Sequence, residues 1–138
     1  MQVREDFIER LIRQVMNMLR DMLNTFLNGD NIKETEIQDI YSKFLNNDRK
    51  FYRENNSNDI LNSFSETYKP NEVLARIEIL AELLLFESKI VNTASQKSDL
   101  LKKSLDMFLY VENNGISYSM ERNAKIKRIE SDLSVGII

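Results

Sequence analysis

Apolar residues recur along this chain at the three- and four-residue intervals of a helix. The richest run is EVLARIEILAELLLFESKIV, Glu72 to Val91. Placed on a helical wheel, it presents two apolar faces rather than one. Leu74, Ile77, Leu80, Ala81, Leu84, Leu85 and Val91 make the first face, and Ala75, Ile79, Leu83, Phe86 and Ile90 the second. Two narrow polar strips separate them, Glu78/Glu82/Lys89 and Arg76/Glu87. The pattern predicts a helix packed from both sides, reached by water only along those strips. Its internal charges argue against a membrane span.

The other elements are arranged around this one. Residues 3–27 read as a long first helix whose apolar positions, Phe7 through Leu27, cover half the wheel. Such a face is wide enough for two neighbours, or for one neighbour and a second copy of the chain. Asn28-Gly29-Asp30 ends it, with Gly29 suited to a left-handed position. A second helix is expected over roughly 34–46 on Ile37, Ile40, Tyr41, Phe44 and Leu45. Residues 49–68 read as one helix or two. Phe51 and Tyr52 can extend the preceding helix, while Ser57 or Asn58 can cap a short one carrying Ile60, Leu61, Phe64 and Tyr68. Pro70 closes that segment, and Asn71 is the expected N-cap of the central helix. A polar connection, Asn92 to Ser98, leads to a helix near 97–112 capped by Ser95 or Ser98. A last helix from Ser119 to about Asp132 has a thin stripe, Ile126, Ile129 and Leu133, and is expected to face solvent. The tail Val135-Gly136-Ile137-Ile138 is apolar; its pattern does not say whether it tucks in or makes a contact.

Composition narrows the picture. With 138 residues, 42% hydrophobic and 30% charged, the chain suits a single helical domain over 1–138 with a real core. Only three Gly and one Pro leave little turn chemistry for hairpins, which favours an all-α fold. There is no Cys and no His. Disulfides, thiolate chemistry, the usual metal sites and the Ser–His pairing therefore fall away, and no metal site or cofactor is expected. The lack of Cys suits a reducing, cytoplasmic setting. The first residues, MQVREDFIERL, hold no uninterrupted apolar segment, so no secretory signal is expected. A net charge of −3 makes the chain as a whole no polycation for nucleic acid.

Leu80-Ala81, Leu84, Leu101, Ser104 and Leu105 resemble a tetratricopeptide helical hairpin, in which small residues midway along two helices meet large ones a turn away. Departures are a long connection at Asn92–Ser98, Leu101 where an aromatic is usual, and Ser104 as the second small residue. One unit is visible, Glu72 to Asn113, with Ile116 to Arg128 as an incomplete start of another. Asp6-Phe7-Ile8 and Ser119-Met120-Glu121-Arg122 add a likeness to small bacterial helical proteins that have no assigned activity. The resemblance implies antiparallel hairpins forming an α–α superhelix, about six helices in all with a long N-terminal one.

Candidate chemistry is sparse. Glu78 and Glu82 stand one turn apart and could serve as acid and base, with one pKa raised if the strip is buried. A solvated strip partly neutralised by Lys89 or a basic neighbour explains the same spacing, and no nucleophile or phosphate loop accompanies it. No catalytic residue is assigned, and the chain is not expected to be an enzyme. Arg122, Lys125, Lys127 and Arg128 form a local basic cluster spread around the last helix. The reading that follows is an interaction module holding a protein or peptide partner, with Arg76, Glu78, Glu82, Arg122 and Lys125 as polar contacts. Self-association through residues 7–27 is compatible with it. The alternative is a nucleic-acid-associated regulator using the C-terminal cluster, whose binding would weaken with salt.

Overall fold

The computed structural model describes residues 2–115 and 119–135, with side chains from Phe7 onward. Among these residues every element is a helix, and there are seven: α1 Gln2–Leu27, α2 Glu34–Phe44, α3 Arg49–Glu54, α4 Ser57–Thr67, α5 Pro70–Ser88, α6 Ala94–Asn114 and α7 Met120–Ser134. The seventh arises because Phe51 and Tyr52 do not prolong α2. Asp48 accepts from the Phe51 amide at 2.9 Å and starts a separate two-turn helix. Asn55-Asn56 then breaks the chain, and the Asn56 side chain caps α4 by accepting from the Asp59 amide at 2.8 Å.

Several caps sit a few residues from where the sequence suggests. Pro70 is the first helical residue of α5 rather than a stop before it, because proline's missing N–H has no partner to lose there. Lys69, not Asn71, is the residue flanking it. Thr93 caps α6, its hydroxyl accepting from the Gln96 amide at 3.1 Å, so Ser95 and Ser98 lie inside the first turns. The α5–α6 connection is therefore only Lys89–Thr93. Ser119 caps α7 as its sequence position indicates, accepting from the Arg122 amide at 3.1 Å. The end of α1 also matches. Gly29 adopts φ +94°, and the amides of Gly29 and Asp30 return to the carbonyls of Phe26 and Thr25 at 3.0 and 3.1 Å. That pairing satisfies carbonyls a helix end otherwise leaves open.

α5 is the centre. Ile77, Ile79, Leu80, Ala81, Leu83 and Leu84 are fully buried, and Phe86 nearly so, which requires cover on both faces. α6 packs along it as the most extensive helix pair, with α1 and α4 also against it and α7 against α6. At the α5–α6 crossing the Ser104 hydroxyl donates to the Ala81 carbonyl at 2.8 Å. Two small buried residues meeting there let the backbones approach closely.

α2, α3 and α4 form a lateral layer held by aromatic rings. Tyr41, Tyr52, Phe64 and Tyr68 stack in sequence with centroids 5.8, 6.0 and 5.7 Å apart. Each end of the ladder is tied to α5. Arg76 lies over the Tyr68 ring at 5.1 Å and donates to the Phe44 carbonyl at 2.7 Å. At the other end the Tyr41 hydroxyl donates to the fully buried Glu87 carboxylate. The strip holding Arg76 and Glu87 is therefore not a water channel, as its polarity suggests. It is the seam between α5 and this layer.

Candidate functional site

α1 and α7 flank the remaining polar strip of α5, and an open groove runs between them. Three adjoining recesses of about 610, 200 and 740 Å3 make it up. The first two share Met16, Arg20, Glu82 and Lys125, and the last two share Leu23, Leu85, Lys89 and Lys125. From the first recess to the last the lining advances along α1 from Glu9 to Leu27, along α5 from Glu78 to Ser88 and along α7 from Glu121 to Asp132, so all three run the same way. The parallel run of α5 and α7 also follows from two ion pairs of nearly equal offset, Arg122 with Glu78 and Lys125 with Glu82.

Four of the five residues expected to make polar contacts come together here. The Lys125 ammonium lies 2.6 Å from Glu82 Oε2, linking wall to floor. Arg122 Nε donates to Glu112 Oε1 at 2.8 Å, and its Nη1 reaches the Glu78 carboxylate at 3.5 Å. Arg122 is buried, so α7 does not simply face solvent: a buried guanidinium extends its thin stripe of Ile126 and Ile129. The fifth residue, Arg76, is not part of the groove; it belongs to the aromatic seam.

Burial raises the Glu82 pKa above its ordinary value against the opposing pull of Lys125, and neighbouring Glu78 pushes it further up. Glu82 is spent on Lys125 rather than aimed at a hydroxyl. Toward the C-terminal end the groove becomes apolar, lined by Leu23, Leu27, Leu85, Leu101 and Ile129. Leu27 there is 70% exposed.

A second polar cluster escaped the sequence reading. Glu87 accepts from Tyr41, from Arg49 Nε at 2.6 Å and from Arg53 Nη2 at 2.8 Å. Arg49 also reaches Glu34 at 2.6 Å. Desolvation, then the charge of Glu87, push the Tyr41 pKa well above its ordinary value. The signal available was a carboxylate at the end of the apolar run Leu83-Leu84-Leu85-Phe86, together with two arginines one turn apart at 49 and 53. The cluster balances its own charges and serves to bolt α2 and α3 to α5.

Among the described residues no group of three or more His, Cys, Asp or Glu is placed to hold a metal ion, and no helix is long and apolar enough to cross a membrane. Comparison with protein-family models, with curated proteins and with solved structures finds no match to this chain.

Proposed function

We propose that this chain is a non-enzymatic helical module that holds a protein or peptide partner in the groove between α1 and α7. The observation that carries the reading is a groove floored by α5 that stays open after α1 has packed, with an apolar stretch bordered by charged side chains. The tetratricopeptide-like character of the α5–α6 hairpin supports it. Leu80, Ala81, Leu84, Leu101 and Ser104 are all buried at the crossing, and the connection is short. α7 follows in the direction of α5, the arrangement by which stacked hairpins generate a lined groove. A reducing, cytoplasmic setting fits a chain without cysteine.

The nucleic-acid reading has less behind it. Arg122 and Lys125 are engaged with Glu78, Glu112 and Glu82, which leaves Lys127 and Arg128 as the exposed cations of that cluster.

The test is a photo-crosslinking amino acid at Ala124, an exposed residue lining the groove, with Asn62, an exposed residue of α4, as control. A discrete adduct in native extract from position 124 alone is expected. An adduct of twice the chain mass identifies a second copy, the self-association that the α1 face allows. Absence of any adduct at position 124 overturns the proposal.

A further inference from the structure

The C-terminal end of the groove has a charge pattern opposite to that of the whole chain. Net charge is −3 overall, yet Arg20, Lys89, Lys97 and Arg128 stand around its apolar floor. Arg20, Lys89 and Lys97 make no ion pair among the described residues. Arg128 is 81% exposed and has only a 3.8 Å contact with Asp132. The acidic residues nearby are Glu121 and Asp132, with Glu82 already held by Lys125. Cations therefore border the apolar floor on the α1 side, through Arg20, on the α7 side, through Arg128, and at the α5–α6 end, through Lys89 and Lys97.

The walls decide the form of the occupant. Among the described residues there is no strand edge to pair with an extended peptide, whose amides and carbonyls would lose water without gaining partners. A helix satisfies its own backbone and needs only side-chain contacts. We infer that the groove takes an amphipathic helix from a partner protein. Its large apolar residues would enter the trough of Leu23, Leu85, Leu101 and Ile129, and acidic residues on both flanks of that stripe would meet Arg20, Lys89, Lys97 and Arg128. This rests on the reading of the groove as a partner site and adds the chemistry of the partner.

Rim charges set partner choice and encounter rate more than affinity, so the test is one of selection. The probe is a displayed library of helical peptides with a fixed leucine stripe and randomised flanking positions, selected on the full chain. The expected result is enrichment of Asp and Glu on both flanks. Binding should fall by at least about tenfold with Ala124→Arg, which fills the trough, and weaken as salt is raised. The double variant Lys97→Glu/Arg128→Glu, changed only at the rim, should remove the acidic preference while keeping the fold. Enrichment of neutral or basic flanks with binding still blocked by Ala124→Arg overturns the acidic partner and leaves the groove reading intact. No enrichment, or binding indifferent to Ala124→Arg, overturns both.

Discussion

Tyr41 and Glu87 lie 46 positions apart in the chain and meet inside the core, the phenol donating to Glu87 Oε2 while Arg49 and Arg53 share Oε1. Both residues are fully buried. A carboxylate taken from water needs every lone pair answered, and here one hydroxyl and two guanidinium groups supply the partners. The contact fixes the register of α2 and α3 on α5. Apolar packing alone would tolerate sliding.

Glu87→Gln keeps the shape but leaves two guanidinium groups facing a neutral amide. Breaking a buried pair on one side costs about 3–5 kcal/mol, and urea denaturation should show a loss of that size. Tyr41→Phe removes a single donor and should cost about 1–3 kcal/mol. A change below about 1 kcal/mol for Glu87→Gln would mean that water reaches the cluster and that it does not bolt the layer down.

The Ser104–Ala81 contact separates size from hydrogen bonding. Ser104→Ala removes a donor to a carbonyl that lies within α5, so the loss should be about 0.5–1.5 kcal/mol. Ser104→Leu forces bulk into a fully buried crossing and should cost about 1–3 kcal/mol or more. If thermal melts rank the two in the reverse order, α5 and α6 are not in close approach at this point.

Lys125 and Arg128 are one turn apart on α7 and should behave differently. Lys125→Glu sets a second carboxylate against the buried Glu82 and should destabilise by about 2 kcal/mol or more. Arg128→Glu alters a solvated side chain and should change stability by less than about 0.5 kcal/mol. Equal effects on stability, or equal effects on nucleic-acid binding at low salt, would restore the basic-cluster reading of α7.

The raised pKa of Glu82 has a defined consequence for pH. The folded chain holds that proton more tightly than the unfolded chain does. The contribution is therefore fully present below the ordinary Glu value of 4.5 and is lost as pH rises through the folded value. Compared with Glu82→Gln, whose amide does not titrate, the wild type should be relatively more stable at the acid end. Urea denaturation of both proteins from about pH 4 to about pH 7 should give a sloping difference, with wild type losing ground as pH rises. A flat difference, or the opposite slope, contradicts the burial of this carboxyl.

Much of the helix layout was legible because burial in a helical protein follows periodicity. The double face of residues 72–91 required cover on two sides, and Ile79, Leu83 and Phe86 are indeed buried. The ends were less legible. Thr93 and Asn56 took over from neighbouring Ser and Asn residues because many side chains in these segments can cap, and tertiary packing chooses among them, while α5 starts after Lys69 with no side-chain cap and Pro70 in its first turn. The polar strips were the hardest. Arg76 and Glu87 look solvated on a wheel, and only the placement of Tyr68, Tyr41, Arg49 and Arg53 shows that Arg76 is half-buried over a ring and Glu87 fully buried among partners. Glu78, Glu82, Arg122 and Lys125 were recognisable as polar residues on their helices. That they line one groove depends on α1 and α7 standing on either side of α5, a long-range relationship that no local pattern carries.

That groove has one wall, α1, held by little. Of its described side chains only Val15 and Leu19 are buried, although Leu11, Ile12, Met18, Met22 and Leu23 lie partly covered against the core. The helix packs mainly against α5. An element with few buried contacts opens at lower free energy than the core. Hydrogen exchange should therefore show the amides of residues 7–27 exchanging through a smaller opening than those of α5 and α6. Leu19→Ala should weaken docking by about 2–3 kcal/mol and speed exchange along α1, while the slowest α6 amides follow only the global stability. A partner helix lying in the groove would touch α1 and α5 together, so binding should slow exchange in α1 more than anywhere else. If α1 exchanges in step with α5 and α6 and Leu19→Ala lowers protection uniformly, the wall belongs to the core, and any ligand must fit a groove of fixed width.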